Sequence, residues 1–237
     1  MQAYSTVNRT TLLAAEQGRI TKVDFPTAVA LCYPNTYYVG MSNLGFQTAY
    51  WFFHLPAEMK AERAFYSEQG VPRTLESNRP LASFPFIAFS VDFELDYFRV
   101  ISMLARSGIP LLSRDRHGRH PIVFMGGFTT FFNIKPLIPF FDFFVMGESE
   151  ELFPQLTALL FEYHAKRAFS FDDLRQRLAA VPGIFVPGIS GEVNPMHVMD
   201  LDRYETISRI ITPYTEFKNK FLVEIGRGCF HQCCFCL

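Results

Sequence analysis

A chain of 237 residues with 49% hydrophobic and 19% charged residues carries enough apolar content for a packed core, which excludes a disordered polar chain. Its net charge of -1 excludes a broad electrostatic pull toward nucleic acid or an anionic membrane. No cationic start followed by an apolar run opens the chain, and Lys135, Pro136, Pro139 and Asp142 break the Phe-rich stretch 131–147 well short of the roughly 20 apolar residues that a membrane span requires, so a soluble, cytoplasmic protein is expected.

In chain order, short apolar runs alternate with helical patterns, the signature of a parallel sheet covered by helices. Residues 27–34 read as a first buried strand. The turn that follows leads into a helix with Phe46, Ala49, Tyr50 and Phe53 on one face, Ser42 as its cap and Pro56 as its stop. Residues 62–66 form a weak second strand and 85–91 a clear third, after which Asp92 caps a helix that turns Tyr97, Val100, Ile101 and Leu104 inward. Residues 121–127 and 141–147 supply the fourth and fifth strands. Ser149 then caps a helix bearing Leu152, Leu156, Leu159, Leu160 and Tyr163, with Glu150 and Glu151 near its positive end.

These elements predict an α/β fold: a five-stranded, doubly wound parallel sheet of flavodoxin or Rossmann type over residues 1–168. Residues 169–217 read as a short helix, 171–180 with Ser170 as cap, followed by a linker rich in Pro and Gly. Residues 221–225, "FLVEI", are expected as a new buried strand that opens a second unit, 218–237.

Four of the five cysteines fall in the last twelve residues, "GRGCFHQCCFCL". Cys229, Cys233 and Cys236 are spaced C-x3-C-x2-C directly after the expected strand, so three sulfurs can turn toward one centre. In a reducing compartment such a cluster points to a metal or to redox work rather than to disulfides. Three thiolates are an incomplete set both for a structural zinc site and for an ordinary four-iron cluster, so the loop either borrows a distant ligand or leaves one metal open. Zinc held with His231 or another His is the plainer alternative. Cys234 reads as a bystander and Cys32 as a small core residue.

With Phe235 in the aromatic position, this loop resembles the hallmark C-x3-C-x-aromatic-C of the radical S-adenosylmethionine (SAM) superfamily, and "EIGRGC" before it adds to the likeness. The resemblance implies that Cys229, Cys233 and Cys236 each bind one iron of a [4Fe-4S] cluster, with Phe235 on the side of SAM, which chelates the fourth iron. An electron from a reductant such as flavodoxin or ferredoxin would then cleave SAM to methionine and a 5'-deoxyadenosyl radical. The stretches "YPNTYYVGMSNLGFQTAY", "FSVDFELDY", "GGFTTFFNIKPL", "DFFVMGESEEL", "GIFVP" and "ITPYTEF" resemble, in order, radical SAM proteins with an N-terminal cobalamin-binding domain, so the likeness covers roughly residues 27–237.

A doubly wound sheet binds ligands beyond the carboxyl ends of its strands. Ser90, Gly126, Gly127, Thr129, Gly147 and Glu148 are the candidates there for a cobalamin-like pocket, the glycines permitting close approach of backbone to ligand. The family's D-x-H-x-x-G loop, whose His ligates cobalt, is missing after the first strand. Tyr37, Tyr38 or Met41 would supply the lower-face contact instead, and "DRHGRH" (115–120) reads as a solvated loop. A barrel needs many strands and only one follows here. The chain is therefore expected to be a portion of a longer enzyme, cut just after the cluster motif and inactive alone. The rivals are a zinc-stabilised module that binds a small ligand or partner, and a non-catalytic remnant of the sheet domain.

Overall fold

The computed structural model describes residues 7–22, 25–148, 150–231, 233 and 234. Ser149, Phe235 and Cys236, which carry an expected helix cap, the expected SAM contact and the expected third iron ligand, lie outside the described residues.

The strands form because their residues are apolar on both faces, as a sheet covered on both sides requires. In β1 (Thr27–Tyr33), Val29, Leu31 and Tyr33 enter one core while Ala28, Ala30 and Cys32 enter the other. The same alternation divides β3 (Phe86–Ser90), β4 (Ile122–Gly126) and β5 (Phe143–Val145) between the two cores. After the short α1 (Arg9–Ala15) and α2 (Tyr37–Met41), helices α3 (Leu44–His54), α5 (Phe153–His164) and α6 (Phe171–Ala179) pack on the first face, and α4 (Tyr97–Arg106) packs on the second. Cys32 is fully buried, and burial pushes its thiol pKa up, as suits a core residue.

The sheet order is β2-β1-β3-β4-β5-β6, where β2 is Met59–Phe65 and β6 is Ile184–Phe185. Every neighbouring pair is parallel except β5 and β6, which are antiparallel. The sheet thus has six strands where five are expected, because a segment without hydrophobic periodicity adds a two-residue edge strand to β5. Strand order reverses beside β1, with β2 on one flank and β3 on the other, the kind of position at which open α/β sheets leave a ligand crevice.

Several local expectations are corrected. Asn43, not Ser42, caps α3, its Oδ1 accepting from Phe46 N at 2.7 Å, while Ser42 closes α2. Asp92 caps no helix: a 3-10 turn, Glu94–Asp96, precedes α4, and the Asp92 carboxylate is engaged by Asn43 and by the Phe128 backbone. Glu150 and Glu151 stand near the positive end of α5 as expected, just ahead of Leu152 at the cap position and the first helical residue, Phe153. The 115–120 loop is solvated as expected at Asp115, His117, Gly118 and Arg119, but buried Arg116 anchors it, donating to Asp142 and to the carbonyls of Pro110, Leu111 and Phe140.

Residues 186–217 pack back onto the domain through backbone contacts, Gln17 bridging Ile211 and Gly147 bridging Met196. The expected strand 221–225 is reduced to one antiparallel bridge, Val223 to Ile207, and Phe221, Val223 and Ile225 are 54%, 55% and 99% exposed. Among the described residues no helix is long and apolar enough to cross a membrane.

Beneath α2 lies an ion cluster centred on fully buried Arg63. Arg63 of β2 donates through both terminal nitrogens to Glu16 at 2.7 Å and through Nε to Glu76 at 2.7 Å, and Tyr37 donates to Glu16 at 2.7 Å. Burial alone would lower the arginine's pKa, but Glu76 and Glu16 together raise it well above its ordinary value. This cluster ties Glu16 of the N-terminal segment to β2.

Candidate functional site at the carboxyl edge of the sheet

A cavity of about 490 Å³ opens at the carboxyl ends of β1, β3, β4 and β5. Its floor and one wall are apolar, built from Leu31, Phe53, Phe124, Phe153 and Leu156. Ser90, Asp92, Glu148 and Glu150 place polar groups at the strand ends, and Gly226, Arg227 and Gly228 close the remaining side. An apolar body with a few convergent polar groups is the usual build of a small-molecule site, and this volume lies in its usual range.

Of the six pocket residues expected at the strand ends, Ser90, Gly126, Gly127, Gly147 and Glu148 line the cavity. Thr129 is fully buried behind it, where its hydroxyl donates to Val91 O at 2.8 Å and holds the turn after β4 against the turn after β3. Two glycines are dictated by the backbone. Gly127 has φ +102°, and a Cβ there would meet Val91 N and O at 2.6 Å. Gly147 has φ +92°, and its Cβ would meet the backbone of Met196 at 2.3 Å. Both turns therefore serve the protein's own packing as well as opening room at the strand ends.

Tyr37, Tyr38 and Met41 do not line the cavity. Tyr37 is directed to Glu16, Tyr38 to Glu216, and Met41 is buried with its sulfur 3.2 Å from an Arg63 nitrogen.

Asp92 is the polar centre of the upper wall. It accepts from Asn43 Nδ2 at 2.9 Å and from Phe128 N at 3.0 Å, and also bonds with Tyr33. Burial raises its pKa, opposed by the hydrogen bonds from Phe128 N and Tyr33. On the opposite side Arg227 gathers Glu224, Glu150 and Glu148 around one guanidinium. The hydrogen bond to Glu224 is the largest influence raising the arginine's pKa, and the same bond lowers that of Glu224. Asp92, Glu150, Glu224 and Arg227 are not among the pocket residues expected from the sequence. The charges flanking the glycines in "EIGRGC" are the signal that singles out Glu224 and Arg227.

Cys229, Cys233 and Cys234 are exposed, directly past the cavity wall formed by Gly226–Gly228. Thiolates suit iron–sulfur chemistry, so the donor set present fits a cluster. Among the described residues no group of three or more metal-binding side chains is assembled, and the third cysteine of the motif, Cys236, lies outside them. No histidine lines the cavity among the described residues, so its wall does not fit a corrinoid held by a protein imidazole.

The family model of radical SAM proteins, N-terminal, matches residues 45–187, from the start of α3 through β6. The chain is also similar to an uncharacterized protein of Methanocaldococcus jannaschii, 26% identical over 215 residues, which cover 88% of this chain and 40% of that protein. The chain thus spans about 40% of the length of that curated relative. No solved structure matches.

Proposed function

This chain belongs to the family of radical SAM proteins, N-terminal, and on that premise we propose that it forms the ligand-binding and cluster-bearing front portion of a radical SAM enzyme. The observation that carries the reading is that Gly226–Gly228, the run leading directly into Cys229, is itself a wall of the cavity at the sheet's carboxyl edge. In this reading Cys229, Cys233 and Cys236 hold a [4Fe-4S] cluster, with Phe235 toward SAM. The bound cluster supplies the electron that cleaves SAM to a 5'-deoxyadenosyl radical.

The chain's own residues have simpler tasks. The Phe-rich floor takes the apolar body of an organic ligand and keeps water from it, while Ser90 and Asp92 orient its polar groups. Gly127 and Gly147 keep the strand ends open. A flavodoxin-like order, 2-1-3-4-5 with an added antiparallel strand, favours a ligand at this edge. A corrinoid at this edge would be held by Ser90, Gly126, Gly127, Gly147 and Glu148 and would supply alkyl-transfer chemistry.

The exposed alternation of Phe221, Val223 and Ile225 supports the reading of 218–237 as the opening of a β/α barrel whose further strands would cover those side chains. Residues 1–168 and 169–217 then stand as sheet domain and connector. A flavodoxin- or ferredoxin-type reductant and a reducing cytoplasm belong to the same reading, and the chain alone would not run radical chemistry.

The test is anaerobic reconstitution of the full-length protein with iron and sulfide. The reading expects iron with acid-labile sulfide, the broad visible absorption of an iron–sulfur cluster, and reductive release of 5'-deoxyadenosine from SAM. A folded sample that holds zinc without sulfide, or that gives neither absorption nor cleavage, overturns it.

A further inference from the structure

Arg227 lies two residues before Cys229, and its surroundings are unusual for a cation near the end of a segment with little regular structure. Its Nε and Nη2 donate to the two oxygens of Glu224, each at 2.9 Å, and its Nη2 also reaches Glu150 and, at 3.3 Å, the Thr206 hydroxyl. Its Nη1 stands 3.5 Å from Glu148. Glu148 and Glu150 belong to the turn after β5, so one guanidinium fastens the run into the cysteine loop to the sheet's carboxyl edge, across 77 residues of sequence from Glu150.

The side chains of Arg227 and Glu150 are 19% and 6% exposed, which sets this cluster apart from surface ion pairs that contribute little. Glu148 is also held from a second direction, accepting from Val198 N at 2.5 Å. The glycines on either side of the arginine matter as well. Gly228 has φ +83°, a left-handed turn at the residue between Arg227 and Cys229, so fixing Arg227 fixes the point from which the cysteine loop departs.

We infer that Arg227 is a positioning residue: clamped by Glu148, Glu150 and Glu224, it seats the cysteine loop over the mouth of the cavity. The point at which the cysteine loop begins, Gly228, is thereby held in the wall of the cavity. Only the part of the test that uses iron rests on the function proposed above. The clamp itself is a contact between two segments of protein, and it is measurable without metal.

The experiment uses the full-length protein with Arg227→Ala, Glu150→Gln, the two combined, and Arg227→Lys. In iron-free protein, limited proteolysis of the segment 216–234 is expected to speed up about tenfold in each single variant. The combined variant should be no faster than Arg227→Ala, because both changes break one contact. Arg227→Lys should restore part of the protection. In protein loaded anaerobically with iron and sulfide, Arg227→Ala should release iron to a chelator faster, and the paramagnetic resonance line shape of its reduced cluster with SAM should change, with Arg227→Lys returning it toward wild type. Unchanged proteolysis in the single variants, or fully independent effects in the combined one, would overturn the clamp. A wild-type protein that takes up no cluster while the proteolysis pattern holds would instead overturn the proposed enzyme and leave the clamp standing.

Discussion

At the scale of single residues, the buried charges of this domain set its response to pH and to substitution. His54 on α3 is buried, and its Nδ1 contacts Tyr50 O at 2.7 Å. Burial is the main cause that lowers its pKa from 6.5 to about 4. Between those values the unfolded chain binds the proton and the folded chain does not, so the stability due to neutral His54 is complete above pH 6.5 and is lost as pH falls toward 4. The loss amounts to about 3 kcal/mol at most. Urea unfolding of wild type and His54→Gln at pH 7.5 and 4.5 checks it: the stability of wild type relative to the variant should fall at the lower pH, and a constant difference would contradict the assignment.

Arg63 is the other decisive residue. Its removal strands the Glu16 and Glu76 carboxylates in the interior, so Arg63→Ala should cost about 3–5 kcal/mol by chemical denaturation.

At the scale of elements, the turns after β4 and β5 carry the site. Gly127→Ala places a methyl group against the Val91 backbone at a φ of +102°, and should destabilise the domain by about 1–3 kcal/mol or more. Gly126→Ala meets Val145 only at 3.6 Å, an ordinary contact, and should cost under about 1 kcal/mol. Thermal unfolding of the two variants compares them directly, and equal losses would contradict the turn geometry. Helix α6 is closed by a reciprocal box in which Ser170 and Asp173 each bond the other's backbone, and Ser170→Ala should cost about 1 kcal/mol.

The same elements show what a sequence can reveal. β1, β3 and β4 fall within a residue or two of expectation because each is a short run that is apolar on both faces. β2 reads weakly because Lys60, Glu62 and Arg63 interrupt its apolar pattern, and the partners that allow Glu62 and Arg63 to be buried lie in separate segments: Glu16, Thr74, Glu76 and Ser77. Residues 186–217 read as a linker because what holds them, such as Ile210 N donating to Gln47 at 3.1 Å, is long-range and has no period. Asp92 is misplaced as a cap for a related reason. Its carboxylate is taken by Asn43 and Phe128 N, contacts that only the assembled strand ends create.

At the scale of the whole molecule, the strand-end glycines in the cavity were legible because ligand sites in open α/β sheets follow strand ends, whatever the ligand. The acidic partners of Arg227 were not, since Glu148 and Glu150 lie far from it in sequence. The architecture joins a mostly parallel sheet, a cavity at its carboxyl edge, and a cysteine loop that leaves from the wall of that cavity. The family match covers β2 through β6, and the 40% coverage of the relative leaves the reaction of the whole protein to experiment.

Mössbauer spectroscopy of the full-length protein, reconstituted with labelled iron and measured with and without SAM, tests the central claim most directly. The account predicts a four-iron cluster in which one iron alone changes its signal when SAM is added. An iron-free protein carrying tetrahedral zinc, or a cluster whose four irons all ignore SAM, would contradict it.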